Sequence, residues 1–142
     1  MKYIEGKDVI SGTQGQVWID DEYFAEVEEL EAIITLDKSE VKRVKFLTKT
    51  YKTVGATGKG KIKFHKVDSA MLKKMAPLIK AGKQPVFTIT SKLNDPDIDG
   101  EERIVIRDAT FDTLNLIKWS VGKLLEDEYN FTFGDWEIQE TI

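Results

Sequence analysis

The sequence predicts a mainly β fold: a β-sandwich or partly closed barrel with one flanking α-helix. Two observations predict it. Apolar and polar residues alternate at period two in several short runs, as half-buried strands require. Only one segment repeats its apolar residues at the helical period.

In chain order, residues 16–19 and 25–36 fit strands, with Asp20, Asp21 and Glu22 making the turn between them. Glu28 and Glu29 break the alternation of the second strand and predict a bulge. Residues 48–61 read as a loop, with Gly55, Gly58 and Gly60 making it flexible or hairpin-like. Residues 61–65 follow as a strand, with Ile62 and Phe64 on one face. Met71, Leu72, Met75, Leu78 and Ile79 recur on one helical face, so the Met pair is expected to fill core. Asp68 or Ser69 caps this helix, Gly82 ends it, and Pro77 should kink or split it. Residues 86–90 are strongly β-prone. Residues 94–102 form a loop, 103–107 alternate, 112–119 are expected to be extended, 121–128 form a loop, and 129–133 alternate again. So many strands in a short chain leave edges that must be covered or paired with another chain.

The 142 residues suit a single domain, with 41% hydrophobic and 32% charged residues. A chain with no cysteine has no disulfide, thiol nucleophile or thiolate metal site. No apolar run approaches the ~20 residues of a membrane span, and residues 1–10 lack the apolar centre of a signal peptide. The expectation is no membrane anchor, and synthesis and retention in the cytoplasm until release. The net charge of −4 is unevenly spread. Residues 38–66 carry ten Lys or Arg and one acid, Glu40; residues 20–31 carry seven acids, and 124–142 carry six, with no Lys or Arg in either. These are either solvated faces or opposite surfaces of two meeting subunits.

Local motifs for chemistry fail in context. The segment from Gly55 to Lys61 has the Gly-x-x-x-x-Gly-Lys spacing of a phosphate loop, but Ile62 replaces the required Ser or Thr and a strand follows instead of a helix. Asp95, Asp97, Asp99 and Gly100 open like a calcium loop, yet Ile106 holds the twelfth position where a bidentate Glu belongs. His65, the one histidine, sits on the polar face of its strand with no spacing signal for a metal site. No catalytic residue, metal or cofactor is expected. Lys61, Lys63, Phe64, His65 and Lys66 have the look of a nucleic-acid strand, but Phe64 faces the core, the chain is acidic and there is no reader helix, so sequence-specific nucleic-acid binding is not expected.

Particular words of the sequence go further. Ile10-Ser11-Gly12-Thr13-Gln14-Gly15-Gln16-Val17-Trp18-Ile19-Asp20 resembles the N-terminal signature of the tail-tube family of contractile phage tails, defective prophages and phage-tail-like bacteriocins of Gram-positive bacteria. Gly58-Lys59-Gly60 leading to Phe64-His65-Lys66-Val67-Asp68-Ser69, then Ser91-Lys92-Leu93-Asn94-Asp95-Pro96-Asp97, then Phe131-Thr132-Phe133 with Thr141-Ile142, resemble it in the same order. Residues 44–54 and 119–127 depart from the pattern.

The resemblance implies a single tail-tube domain over 1–142 that is not an enzyme. Six copies form a ring; rings stack inside a contractile sheath, around a tape-measure protein and between baseplate and tail-terminator proteins, and the channel passes DNA or ions. Assembly in the bacterial cytoplasm precedes residence in the virion or phage-like particle. Residues 1–8, outside the family signal, are expected as a flexible N-terminal arm. Residues 42–61 are expected as an inter-subunit loop in the form of a long hairpin arm. The candidate inter-subunit contacts are Lys42, Arg43, Lys45, Lys49, Lys52, Lys59 and Lys61, against acids such as Asp20, Asp21 and Glu22. Three alternatives stay open: a secretion-system tube, a baseplate tube-initiator, or, in another class, a monomeric β-barrel that binds a small ligand.

Overall fold

A computed structural model describes residues 5–142. Residues 1–4 of the expected N-terminal arm lie outside the described residues; of the remainder, Gly6–Asp8 form a short 3-10 turn. Seven strands and one helix follow: β1 Gln16–Ile19, β2 Glu22–Tyr23, β3 Val27–Val41, β4 Thr50–His65, α1 Ala70–Lys80, β5 Phe87–Asn94, β6 Glu101–Phe111 and β7 Glu126–Glu140.

The strands form one antiparallel sheet in the order β2-β1-β5-β6-β7-β4-β3. Its two end strands, β2 and β3, are joined by residues 24–26 alone. That link spans at most ~14 Å, so the sheet must curl until its ends nearly meet. Phe24, just past β2, packs edge-on against Phe64 of β4 at 5.6 Å between ring centroids. The result is a partly closed barrel made from a single sheet.

The barrel is filled by Val17 and Ile19 of β1, Ile62 and Phe64 of β4, Phe87 and Ile89 of β5, Ile106 and Ala109 of β6, and Tyr129, Phe131 and Phe133 of β7, with the half-buried Val27 and Leu30 of β3 packed against them. Met71 and Met75 of α1 pack into this core. Asp68 Oδ1 accepts from the Ala70 N–H at 3.0 Å at the start of α1, while the Ser69 side chain makes no cap. The helix is not split at Pro77. It ends where Gly82 takes a φ of +76° and the Gly82 and Lys83 N–H groups return to the Ile79 and Leu78 carbonyls.

Two expectations are corrected. Residues 48–61 are not a flexible loop: from Thr50 onward they belong to the 16-residue strand β4. Two of the glycines that suggested a loop lie under rings from β7. Gly58 is paired with Phe133, and Gly60 with Phe131, and a Cβ on either glycine would fall within 2.6 Å of the opposing ring. Glycine here makes room for an aromatic core rather than for motion. Residues 112–119, expected to be extended, form no strand. The predicted bulge is present, as a register shift between Val27 and Glu29.

Candidate inter-subunit interface

The geometry of β4 divides the candidate residues into two groups. From Gly58 to His65, β4 is paired on both sides, by β3 and by β7. From Thr50 to Thr57 it is paired only by β3, so β3 and β4 run on past the barrel as a two-stranded ribbon closed by residues 42–49. Of the residues 42–61 expected as a hairpin arm, 42–49 close this ribbon, 50–57 form one of its two strands, and 58–61 lie in the doubly paired part of the sheet.

On the outward face of the paired half, two of the lysines of β4, Lys61 and Lys63, meet acids from its neighbours. Lys61 Nζ lies 3.2 Å from Glu29 and 3.9 Å from Glu31. Lys63 Nζ lies 3.3 Å from Glu126 and 3.8 Å from Glu28. Both ammonium groups are pushed above the ordinary lysine range, Lys61 chiefly by its hydrogen bond to Glu29 and Lys63 by its hydrogen bond to Glu126. Lys61 thus has partners in its own subunit.

The acids at the other end of the sheet are similarly engaged. Asp20 adopts a φ of +54° in the β1–β2 turn, and its Oδ1 accepts from the Thr88 N–H at 3.0 Å. Glu22 pairs with Lys74 of α1 at 2.7 Å. Asp21 stays exposed and lines, with Asp20, Arg103 and Arg107, an open groove on the sheet.

The ribbon differs. Among the described residues, Lys42, Arg43, Lys45, Lys49 and Lys52 hold no ion pair, and neither does Lys59 on the paired half of β4. Arg43 donates to the Thr48 carbonyl at 2.9 Å and lies over the Phe46 ring at 4.4 Å, bracing the tip, where Lys45 has a φ of +65°. The tip is also apolar: Val44 and Phe46 are exposed, and Leu47 is fully so. Leu36, Tyr51 and Val54 are also exposed along the ribbon. A second exposed apolar stretch lies between β6 and β7, at Leu116, Ile117, Trp119, Val121 and Leu124. Sequence reasoning weighed the charges of residues 42–61 and passed over Val44, Phe46 and Leu47, which were visible as an apolar cluster between cations. Exposed apolar patches of this extent mark contact surfaces.

The calcium-like turn has a structural role. The buried Asp95 carboxylate accepts from the Ser11 N–H at 2.9 Å and the Asp97 N–H at 3.0 Å, and these donors hold it below the usual carboxylate range. It ties the segment before β1 to the end of β5. Residues 55–61 lie within β4, so no helix N-terminus stands behind them to receive a phosphate.

Comparison with known proteins agrees with this architecture. The family model described as phage tail tube protein matches residues 2–140. The Phage-like element PBSX protein XkdM of Bacillus subtilis (strain 168) is 33% identical over 141 residues, covering 98% of this chain and 96% of the relative. The fold is shared with the anti-feeding prophage tube-terminating cap, at a TM-score of 0.72 and 13% identity over 99% of this chain and 97% of that one. It is shared too with a chain of the sheath–tube complex of an extracellular contractile injection system, at 0.70 and 10% identity over 94% and 93%. With nearly its whole length matched by the family model and by a relative at a third identity, this chain belongs to the phage tail tube protein family, as a structural subunit of a phage-like tail and not an enzyme.

Proposed function

We propose that the chain works as one tail-tube domain over residues 1–142 and assembles into six-membered rings that stack into the tube of a contractile tail. The observation that carries this reading is the ribbon: an exposed 15-residue edge strand, β3, continuing into an arm with uncompensated positive charge and an apolar tip. Such an edge invites pairing with another chain. A contact between unlike surfaces closes into a ring or propagates as a filament, depending on its rotation. The arm, residues 42–61, reaches a neighbour in the stack. Sheath, tape-measure, baseplate and terminator proteins are the further partners, assembly takes place in the bacterial cytoplasm, and the channel passes DNA or ions.

Electron microscopy of the purified protein at high concentration, with light scattering across a dilution series, tests the reading. Rings or tubes are expected. A strict monomer at every concentration and salt, alone and with tail components, would overturn it. The competing reading, a monomeric small-ligand barrel, has an observation against it: Ile62, Tyr129 and Phe131 fill the barrel interior with side chains.

A further inference from the structure

Where the base of β4 meets its two neighbours, three side chains converge from distant parts of the sequence. Glu28, His65 and Glu126 each offer a ligand atom, and these atoms all lie within 4.8 Å of one another. We propose that Glu28, His65 and Glu126 form a binding site for a divalent transition-metal ion of the zinc type.

The fold brings each ligand to the same outward face for a separate reason. His65 alternates with Phe64, which is turned into the core. Glu126 opens β7 directly opposite His65 in the register. Glu28 lies at the bulge between Val27 and Glu29, and a bulge re-aims the side chain it carries. Backbone bonds fix the ligand-bearing segments on both sides. The His65 N–H donates to the Glu26 carbonyl at 3.0 Å and the Lys66 N–H to the Leu125 carbonyl at 2.9 Å. The positions are thus held before any ion arrives.

The donor set selects the ion class. One imidazole nitrogen and two carboxylate oxygens suit zinc, with bonds of ~2.0–2.2 Å and a fourth position for water. The half-exposed side chains leave that position open to solvent. Magnesium and calcium prefer six or more oxygens, which three ligands including a histidine do not supply. Without an ion, the cluster is held by contact between His65 Nε2 and Glu28 and by the Lys63 ammonium, which touches Glu28 and Glu126. Lys63 is thus the built-in competitor for the ion, and it must swing away when the ion binds. The ion would then fasten edge strand β3 to β4 and β7 at one point.

Titration calorimetry of the full chain with zinc chloride in a non-coordinating buffer tests the site, with magnesium chloride as control. Micromolar binding of about one zinc ion per chain is expected, with none for magnesium. His65→Ala and Glu126→Gln should each weaken zinc binding at least about ten-fold while circular dichroism shows the fold retained. Lys63→Met should tighten it, a result that a simple ion-pair cluster does not produce. Parent binding no tighter than millimolar, or undiminished affinity in Glu126→Gln and His65→Ala, would overturn the site. Unchanged affinity in Lys63→Met would overturn the lysine's role as competitor.

Discussion

The two halves of β4 make opposite use of one continuous strand. Between Gly58 and His65 it lies between two partners, turns Ile62 and Phe64 into the core, and has Lys61 and Lys63 matched by acids of β3 and β7. Between Thr50 and Thr57 it has one partner, no buried residue and no compensating acid within ion-pairing distance of Lys52. The barrel half buries its apolar side chains and, Lys59 apart, pairs its lysines; the ribbon half leaves both unsatisfied. A strand this long therefore separates folding from assembly along its length, and substitutions in the two halves should fall on different measurements.

The largest effect should come from the core under the barrel half. Phe131 is almost fully buried and touches Phe111 and Phe133. Phe131→Ala should cost about 3–5 kcal/mol of folding stability by urea denaturation. Phe46→Ala at the ribbon tip should stay within about 1 kcal/mol of the parent yet reduce tube length. Equal losses of stability would erase the distinction between the halves.

Glycines give a finer version of the same contrast. A Cβ on Gly60 would lie 2.3 Å from the Glu31 carbonyl oxygen and 2.4 Å from the Phe131 ring, and backbone cannot step aside. Gly60→Ala should cost about 2–3 kcal/mol. On Gly55, in the ribbon, the Cβ would meet only the rotatable Asp37 carboxylate at 3.2 Å, so Gly55→Ala should cost under about 1 kcal/mol. Urea midpoints of the two variants read the difference, and a Gly60→Ala protein as stable as the parent would remove the packing explanation for that glycine.

These glycines also show where sequence reading stops. Ile62 and Phe64 announced their strand by alternation, Gly82 announced the end of α1, and the Glu28–Glu29 pair announced a bulge, because each signal is local. Gly58 and Gly60 misled, because their reason for being glycine sits on β7, some seventy residues on. Residues 112–119 misled differently: β-prone side chains there find no strand to pair with. At the interface the excess of lysine was legible, but its partial neutralisation was not. Glu29 and Glu126 reach Lys61 and Lys63 only through sheet register. The cluster of Glu28, His65 and Glu126 was invisible for the same reason.

Alkaline pH should probe the compensated charges. The folded-state pKa values of Lys61 and Lys63 are raised, so their stabilisation is complete below the ordinary lysine value of ~10.4 and is lost as pH rises through the folded values. Burial also pushes the Tyr129 phenol up, which weakens folding in the same direction at high pH. The lysine share is the difference between the parent and a Lys61→Met, Lys63→Met variant, followed by urea midpoint from pH 8 upward. Parallel pH curves for the two proteins would mean that the outward ion pairs add nothing to the barrel.

The smallest effect on folding, and the sharpest on assembly, should follow from reversing the ribbon's charge. Lys45 and Lys49 stand at the tip and Lys52 pairs in register with Ser39, where no acid of the same subunit forms an ion pair with any of them among the described residues. Changing all three to Glu should therefore move folding stability by no more than about 0.5 kcal/mol. If the arm meets an acidic surface of the next subunit, such as that near Asp21, the same change turns attraction into repulsion. Each exposed pair contributes only ~0–1 kcal/mol, but the contact repeats with every subunit added. Tubes of the triple variant should be shorter and should need a higher protein concentration. Added salt should narrow the gap by screening, since the Debye length shrinks to ~3 Å at 1 M. Sedimentation and electron microscopy would score length, with circular dichroism confirming the fold. If the variant forms tubes as readily as the parent at low salt, the ribbon joins subunits through Val44, Phe46 and Leu47 rather than through charge.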